Sequence, residues 1–172
     1  DLDGVVDSTG ALNFKEIPKS LCIIGGGVIG IEMAHVYQRL GTKVTIVEML
    51  PDILMNLDTD ITAPIKKLFK KNKVDILLET KVGSIEKTEE GLLVNMTDKE
   101  GTAKSVTAEK VLMCVGRKPQ TAELGLEEIG VATERGRIVV DENYQTNVEN
   151  LYAIGDCIGG IMLAHVASAE GI

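Results

Sequence analysis

The sequence predicts an α/β fold: a parallel sheet with helices on both faces, and an antiparallel β-meander beside it. Three observations carry that prediction. Short, wholly apolar runs alternate with stretches of helical period. The first run is joined to the first long helix by a glycine-rich turn. Three further strand-like segments then follow one another with only turns between them.

Residues 1–19 form a lead-in, with an apolar pair Val5-Val6, a helix cap at Asp7-Ser8 and a stop at Pro18. Leu21-Cys22-Ile23-Ile24 is continuous and apolar, as a parallel strand covered on both faces must be. From Gly27 to Leu40 the period becomes helical, with Ile29, Met33, Val36, Tyr37 and Leu40 expected on the inner face and Gly41 ending the helix. Lys43 to Val47 returns to a strand, which completes a unit of the length a βαβ crossover needs. A second helix is expected from about Asp60 to Asn72, with Ile61, Ile65, Leu68 and Phe69 inward and Lys66, Lys67, Lys70 and Lys71 on a solvated outer face. Val74 to Leu78 is the third strand. Val82–Ile85, Leu92–Met96 and Ser105–Thr107, separated by Glu-Glu-Gly and Asp-Lys-Glu-Gly turns, read as the meander. Glu109 to Val115 is another buried strand, and Gly116-Arg117-Lys118-Pro119 closes a domain expected to span residues 1–119. Residues 120–172 read as part of a second region, with strands at Arg137–Val140 and Leu151–Ile154.

Composition narrows the function. The formal net charge of −8 repels phosphate backbones and anionic lipid, so neither nucleic acid nor a membrane is expected as a partner. No apolar run reaches the roughly 20 residues a membrane span requires. Cys22, Cys114 and Cys157 are odd in number and widely spaced, which fits reduced core thiols in a cytoplasmic protein better than a disulfide framework. No metal site is expected. The chain starts without a methionine and stops just after the start of a helix, so both ends are expected to be cut.

Gly25-Gly26-Gly27-Val28-Ile29-Gly30 matches Gly-x-Gly-x-x-Gly, and its context gives the match its force: a strand before it, a helix after it, and Glu48 at the end of the next strand. That is a Rossmann-like dinucleotide fingerprint. Gly25 is expected to permit the tight turn, Gly27 to let the backbone approach a pyrophosphate, and Gly30 to let helix and strand pack closely. The pyrophosphate would lie on the free N–H groups at the start of the helix, near Val28 and Ile29. Glu48 is placed to accept the adenosine ribose hydroxyls, and it would repel a 2′-phosphate, so NAD(H) is expected over NADP(H). A strand-end acid can also be merely solvated, and that reading stays open here.

With these residues in place the chain resembles the flavin-dependent pyridine-nucleotide disulfide oxidoreductases, and among them the dihydrolipoamide dehydrogenases most closely. The resemblance runs through Asp7–Leu12, Cys22–Glu32, Val47-Glu48, Leu78–Val82, Val115–Pro119, Leu151–Asp156 and Met162–His165. NADP-using relatives carry alanine at the third glycine and arginines after the second strand; Gly30 and Glu48-Met49-Leu50-Pro51 depart from that pattern. The resemblance implies that Glu32 lies near the nicotinamide, Val82 beside the adenine and the Gly116 backbone near the nicotinamide end. From position alone, Glu32 is an acid in the first turn of a helix and Val82 is core. The resemblance further implies that Asp156 holds the ribityl chain of FAD, and that Met162, Leu163, Ala164 and His165 face the flavin ring. His165 by itself is an ordinary helix-face histidine.

A complete member of this family would pass hydride between dihydrolipoamide and NAD through a reactive disulfide and FAD. The sequence holds no Cys-x₄-Cys pair, no second Gly-x-Gly-x-x-Gly and no His-Pro dipeptide, so no catalytic residue is expected here and those parts are expected in the remainder of a parent flavoprotein. The resemblance implies a homodimeric parent and membership of a 2-oxoacid dehydrogenase complex. Three readings stand: the NAD(H)-binding segment of a dihydrolipoamide dehydrogenase, the same segment of another NADH-dependent flavoprotein such as an NADH oxidase, or a standalone NAD-binding module.

Overall fold

The structure is a computed structural model that describes residues 2–172; Asp1, where the expected lead-in begins, lies outside the described residues. The chain divides into two compact units, Asp1–Gly116 and Arg117–Ile172.

In the first unit, β1 (Val5–Val6), β2 (Ser20–Ile24), β3 (Lys43–Val47), β4 (Asp75–Leu77) and β8 (Lys110–Met113) make a five-stranded sheet in the order β1-β8-β2-β3-β4, with every pairing parallel. Between β4 and β8 the chain runs through an antiparallel sheet, β5 (Thr80–Thr88), β6 (Gly91–Asp98) and β7 (Ala103–Ala108). The helices are α1 (Ser8–Leu12), α2 (Val28–Arg39) and α3 (Thr59–Lys71). Asp7 caps α1 by accepting from the Gly10 N–H at 2.8 Å, and Asp58 caps α3 by accepting from the Asp60 N–H. The expected α/β class, with its parallel sheet and meander, is present.

The apolar runs are continuous because the sheet is covered twice. Leu21 and Ile23 of β2, Val44 and Ile46 of β3 and Leu112 of β8 pack with Ala34 and Tyr37 of α2 and Phe69 of α3. Cys22 and Ile24, Val47 and Val111 point the other way, onto Leu92, Val94 and Met96 of β6. Helices were expected on both faces; the residues place α1, α2 and α3 in the first of these cores and the meander over the second face. The alternating apolar side of β6 supplies what a second helical layer would otherwise provide.

Both long helices keep part of the expected face inward, with Met33 and Tyr37 of α2 and Ile65 and Phe69 of α3 on the first core, while Val36, Leu40, Ile61 and Leu68 turn outward. In α2 the buried side is Gly30, Ile31, Ala34 and Tyr37, while Val36 and Leu40 stand exposed and Met33 is half-buried. The cause is Gly30: a Cβ there would lie 2.1 Å from the Gly25 carbonyl oxygen, so this bare position faces the sheet and fixes the helix about its axis. In α3 Thr62 and Phe69 are buried, and Ile61 and Leu68 are exposed. Lys66 leaves the solvated lysine face to pair with Asp52 at 2.6 Å. That hydrogen bond holds the Asp52 carboxyl below the ordinary carboxylate range.

In the second unit β9 (Thr133–Glu134) and β10 (Arg137–Ile138) form a hairpin, and α4 (Ala164–Glu170) follows a 3-10 turn at Gly155–Cys157. Two sequence expectations are corrected here. The strand at Arg137–Val140 stops at Ile138, and Leu151–Ile154 makes one bridge among the described residues, Tyr152 with Gln145. A strand needs neighbours along its length, and Tyr152 and Ile154 remain exposed. Among the described residues no helix is long and apolar enough to cross a membrane. Cys22 is buried, and burial pushes its thiol up to about 12; Cys114 and Cys157 are free and half-buried, with Cys114 packed against the first core and Cys157 in neither core.

Candidate functional site

The chain leaves β2 toward β3 and β4 on one side, while β8 enters on the other. The carboxyl ends of β2 and β8 therefore flank a topological switch point, where open α/β sheets bind ligands. A cavity of about 740 Å³ opens there. Its floor is Ile24 and Gly25 after β2, Val47 and Glu48 after β3, and Met113 to Gly116 after β8. The near strand of the meander, from Thr80 to Ile85, is its wall. The volume falls in the range of small-molecule sites, roughly 300–1,000 Å³.

Each glycine of the loop has a separate reason to be there. Gly25 has φ +112°, and a Cβ on it would lie 2.3 Å from the Cys114 carbonyl oxygen. Its N–H donates to the Val47 carbonyl at 2.9 Å, which stitches the turn to β3. Gly30 is forced by its approach to Gly25. Gly27 differs: its φ is −75°, as any residue allows, and a Cβ there would meet no atom within 4 Å. Nothing within the described residues demands glycine at this position, which is the N-cap of α2 and lines the cavity.

Glu48 is 8% exposed, so it is not a solvated strand-end acid. Its Oε2 accepts from the Gly26 N–H at 2.6 Å and its Oε1 from the Leu50 N–H at 2.8 Å. The backbone beside it is fixed as well, with Glu48 N–H donating to Leu77 and Thr80 N–H donating to the Glu48 carbonyl. The carboxylate braces the glycine loop. Each of its oxygens keeps a lone pair for a further donor.

Of the residues singled out from sequence, Gly25, Gly27, Glu48, Val82 and Gly116 line this cavity. Val82 also packs against the second core cluster, so the two readings of it are both satisfied. Gly116 has φ +116° and open space about it. Val28, Ile29 and Gly30 belong to the start of α2 and do not line it. Glu32 is exposed, and because α2 begins at Val28 it sits in the second turn, not the first. Sequence reasoning passed over Lys81 and Ser84 in the cavity wall. The alternation of β5 was the available signal. A register shift between Val82 and Ser84 turns consecutive residues toward the cavity and blurs that alternation.

In the second unit Asp156 lies in the 3-10 turn, 3.4 Å from the Arg117 guanidinium. The Gly155 N–H donates to Glu170 Oε2 at 2.7 Å, which ties this turn to α4. Met162, Leu163, Ala164 and His165 are exposed at the start of α4, with Leu163 as its N-cap.

The profile of the family described as Pyridine nucleotide-disulphide oxidoreductase matches residues 2–171. Dihydrolipoyl dehydrogenase of Geobacillus stearothermophilus is 47% identical over 168 residues, covering 97% of this chain and 36% of that protein. Dihydrolipoyl dehydrogenase of Staphylococcus aureus is 45% identical over 167 residues, covering 96% and 36%. Among solved structures, the HOCl-induced flavoprotein disulfide reductase RclA from Escherichia coli superposes with a TM-score of 0.89 at 36% identity, over 99% of this chain and 38% of that one. The chain thus spans just over a third of the length of the relatives it matches.

Proposed function

The chain belongs to the pyridine nucleotide-disulphide oxidoreductase family, and from that premise we propose that residues 1–119 are the NAD(H)-binding domain of a flavoprotein of the dihydrolipoyl dehydrogenase kind. Residues 120–172 are then a segment of its FAD-binding region. The observation that carries this reading is Gly27, a glycine lining a switch-point cavity where no atom of the described residues requires it. A diphosphate against the backbone does require it.

When bound, NAD supplies the hydride acceptor and FAD relays the electron pair from the substrate thiols. The chain's own part is to bind and orient. Free N–H groups at the start of α2, near Val28 and Ile29, receive the diphosphate. Glu48 fixes Gly26 and turns its remaining lone pairs to the adenosine ribose. Val82 covers the adenine, and the open backbone at Gly116 admits the nicotinamide end. Glu32, one turn along α2, is assigned to the nicotinamide on resemblance alone. Asp156 and the segment Met162 to His165 are assigned to FAD; the exposed carboxylate and helix start suit a ribityl chain and a ring carbonyl.

A second reading has specific support: the fold neighbour is a disulfide reductase with a different printed name, so the same segment would serve another thiol-linked flavoprotein. The free thiols at Cys22, Cys114 and Cys157 suit a reducing cytoplasm. A homodimeric parent, and its place in a 2-oxoacid dehydrogenase complex, follow only if the lipoamide reading holds.

The chain is expected to bind NADH in calorimetric titration, to purify without a flavin absorption band and to show no NADH-to-lipoamide turnover. Absence of NADH binding by a folded sample sinks the proposal. A yellow preparation would overturn the division of cofactors between this chain and the rest of the parent.

A further inference from the structure

The second unit holds a cavity of its own, about 430 Å³, in which cations gather although the chain as a whole carries −8. Arg117, Lys118, Arg135 and Arg137 line it against a single acid, Glu134. Arg117 is already engaged by Asp156. Lys118, Arg135 and Arg137 have no ion-pair partner among the described residues.

Two features bear on these arginines, Arg135 and Arg137, both of which are exposed. The hairpin β9–β10 turns on two residues only, Arg135 and Gly136, with φ of +51° and +81°. Such a turn prefers Asn, Asp or Gly at both positions, so Arg135 stands there against the local backbone preference. Thr121 Oγ pins the turn by donating to the Gly136 carbonyl at 2.7 Å. Opposite it the Arg137 side chain lies on the bare α-carbon of Gly159, where a Cβ would come within 2.8 Å of its Cδ and Nε.

We propose that this cavity is a second anion site, which takes a phosphoryl group through Arg135 and Arg137 with Lys118 as an accessory charge. Paired guanidinium forks match phosphoryl oxygens in geometry as well as charge, which is why arginine is favoured over lysine for this task. Free diphosphate and a phosphorylated metabolite share this chemistry. The site shares no lining residue with the switch-point cavity.

The test is calorimetric titration of inorganic pyrophosphate into the chain saturated with NADH, with glucose 6-phosphate as a second arm to separate a free diphosphate from a phosphate ester. Arg135→Asn and Arg137→Gln are each expected to weaken pyrophosphate on the order of tenfold, and the double variant to abolish it. NADH titrations of the same variants should be unchanged. Asparagine suits the turn, so Arg135→Asn should melt no lower than the wild type, which separates lost binding from lost folding. Lys70→Gln, on the exposed end of α3, is the charge-matched control and should bind as the wild type does. Undetectable binding of both probes, or equal binding by the double variant and the control, overturns the proposal.

Discussion

Gly30→Ala is expected to lower the stability of the first unit by about 3 kcal/mol, the upper part of the range for overpacking, because the added methyl meets a backbone carbonyl and not a movable side chain. Gly25→Ala should be at least as damaging. It adds a φ of +112° to a 2.3 Å encounter with Cys114 O. For a chain of this size such losses correspond to melting points lower by roughly 6–12 °C. Gly41→Ala isolates the backbone contribution, since Gly41 has φ +93° but no atom within 4 Å of a Cβ. It should cost only about 1–2 kcal/mol. Thermal unfolding followed by circular dichroism checks all three. A Gly30→Ala protein that melts within a degree of the wild type would refute the close-packing account of that glycine.

Glu48 carries the second large effect, and the carboxylate has two tasks. Glu48→Ala strips the acceptor from the buried Gly26 N–H, at about 1–3 kcal/mol of stability, and under the proposed NAD(H) reading it also removes a charge-assisted bond to the ribose. NADH affinity should fall by roughly one to two decades. NADPH gains from the lost repulsion but suffers from the same loosened loop, so the ratio of the two affinities is the informative readout. Glu48→Gln separates the tasks, because it keeps one acceptor oxygen and the side-chain volume while removing the charge. It should melt closer to the wild type than Glu48→Ala does, and still shift the ratio toward NADPH on the order of tenfold. Calorimetry of both cofactors at one salt concentration decides. An unchanged ratio in both variants would leave Glu48 a structural brace alone.

The sheet was legible because its chemistry is local. Leu21 to Ile24 and Lys43 to Val47 announce strands covered on both faces, and both faces are covered. The glycine offsets and the acid at the end of β3 were legible for the same reason. What failed depended on distant contacts. Val36 and Leu40 continue the apolar stripe of α2, but the close approach of Gly30 to Gly25 turns them outward and buries Ile31 and Ala34. Ile61 and Leu68 of α3 were expected inside on period alone, and Thr62 takes that side. Leu151 to Ile154 has the composition of a strand but finds one bridge among the described residues. Glu48 was read as an acid free for ribose. Its bonds to Gly26 and Leu50 span a turn whose path no spacing rule predicts.

The most direct test of the NAD(H) assignment is NADH titration into Gly27→Ala. Its φ of −75° suits alanine and its Cβ would meet nothing within 4 Å, so the variant should melt with the wild type. If a diphosphate fills that space, the methyl should weaken NADH by roughly tenfold or more, about 1.4 kcal/mol. An unaltered melting point with unaltered NADH affinity would contradict the assignment, because the space beside Gly27 would then not be where the dinucleotide lies.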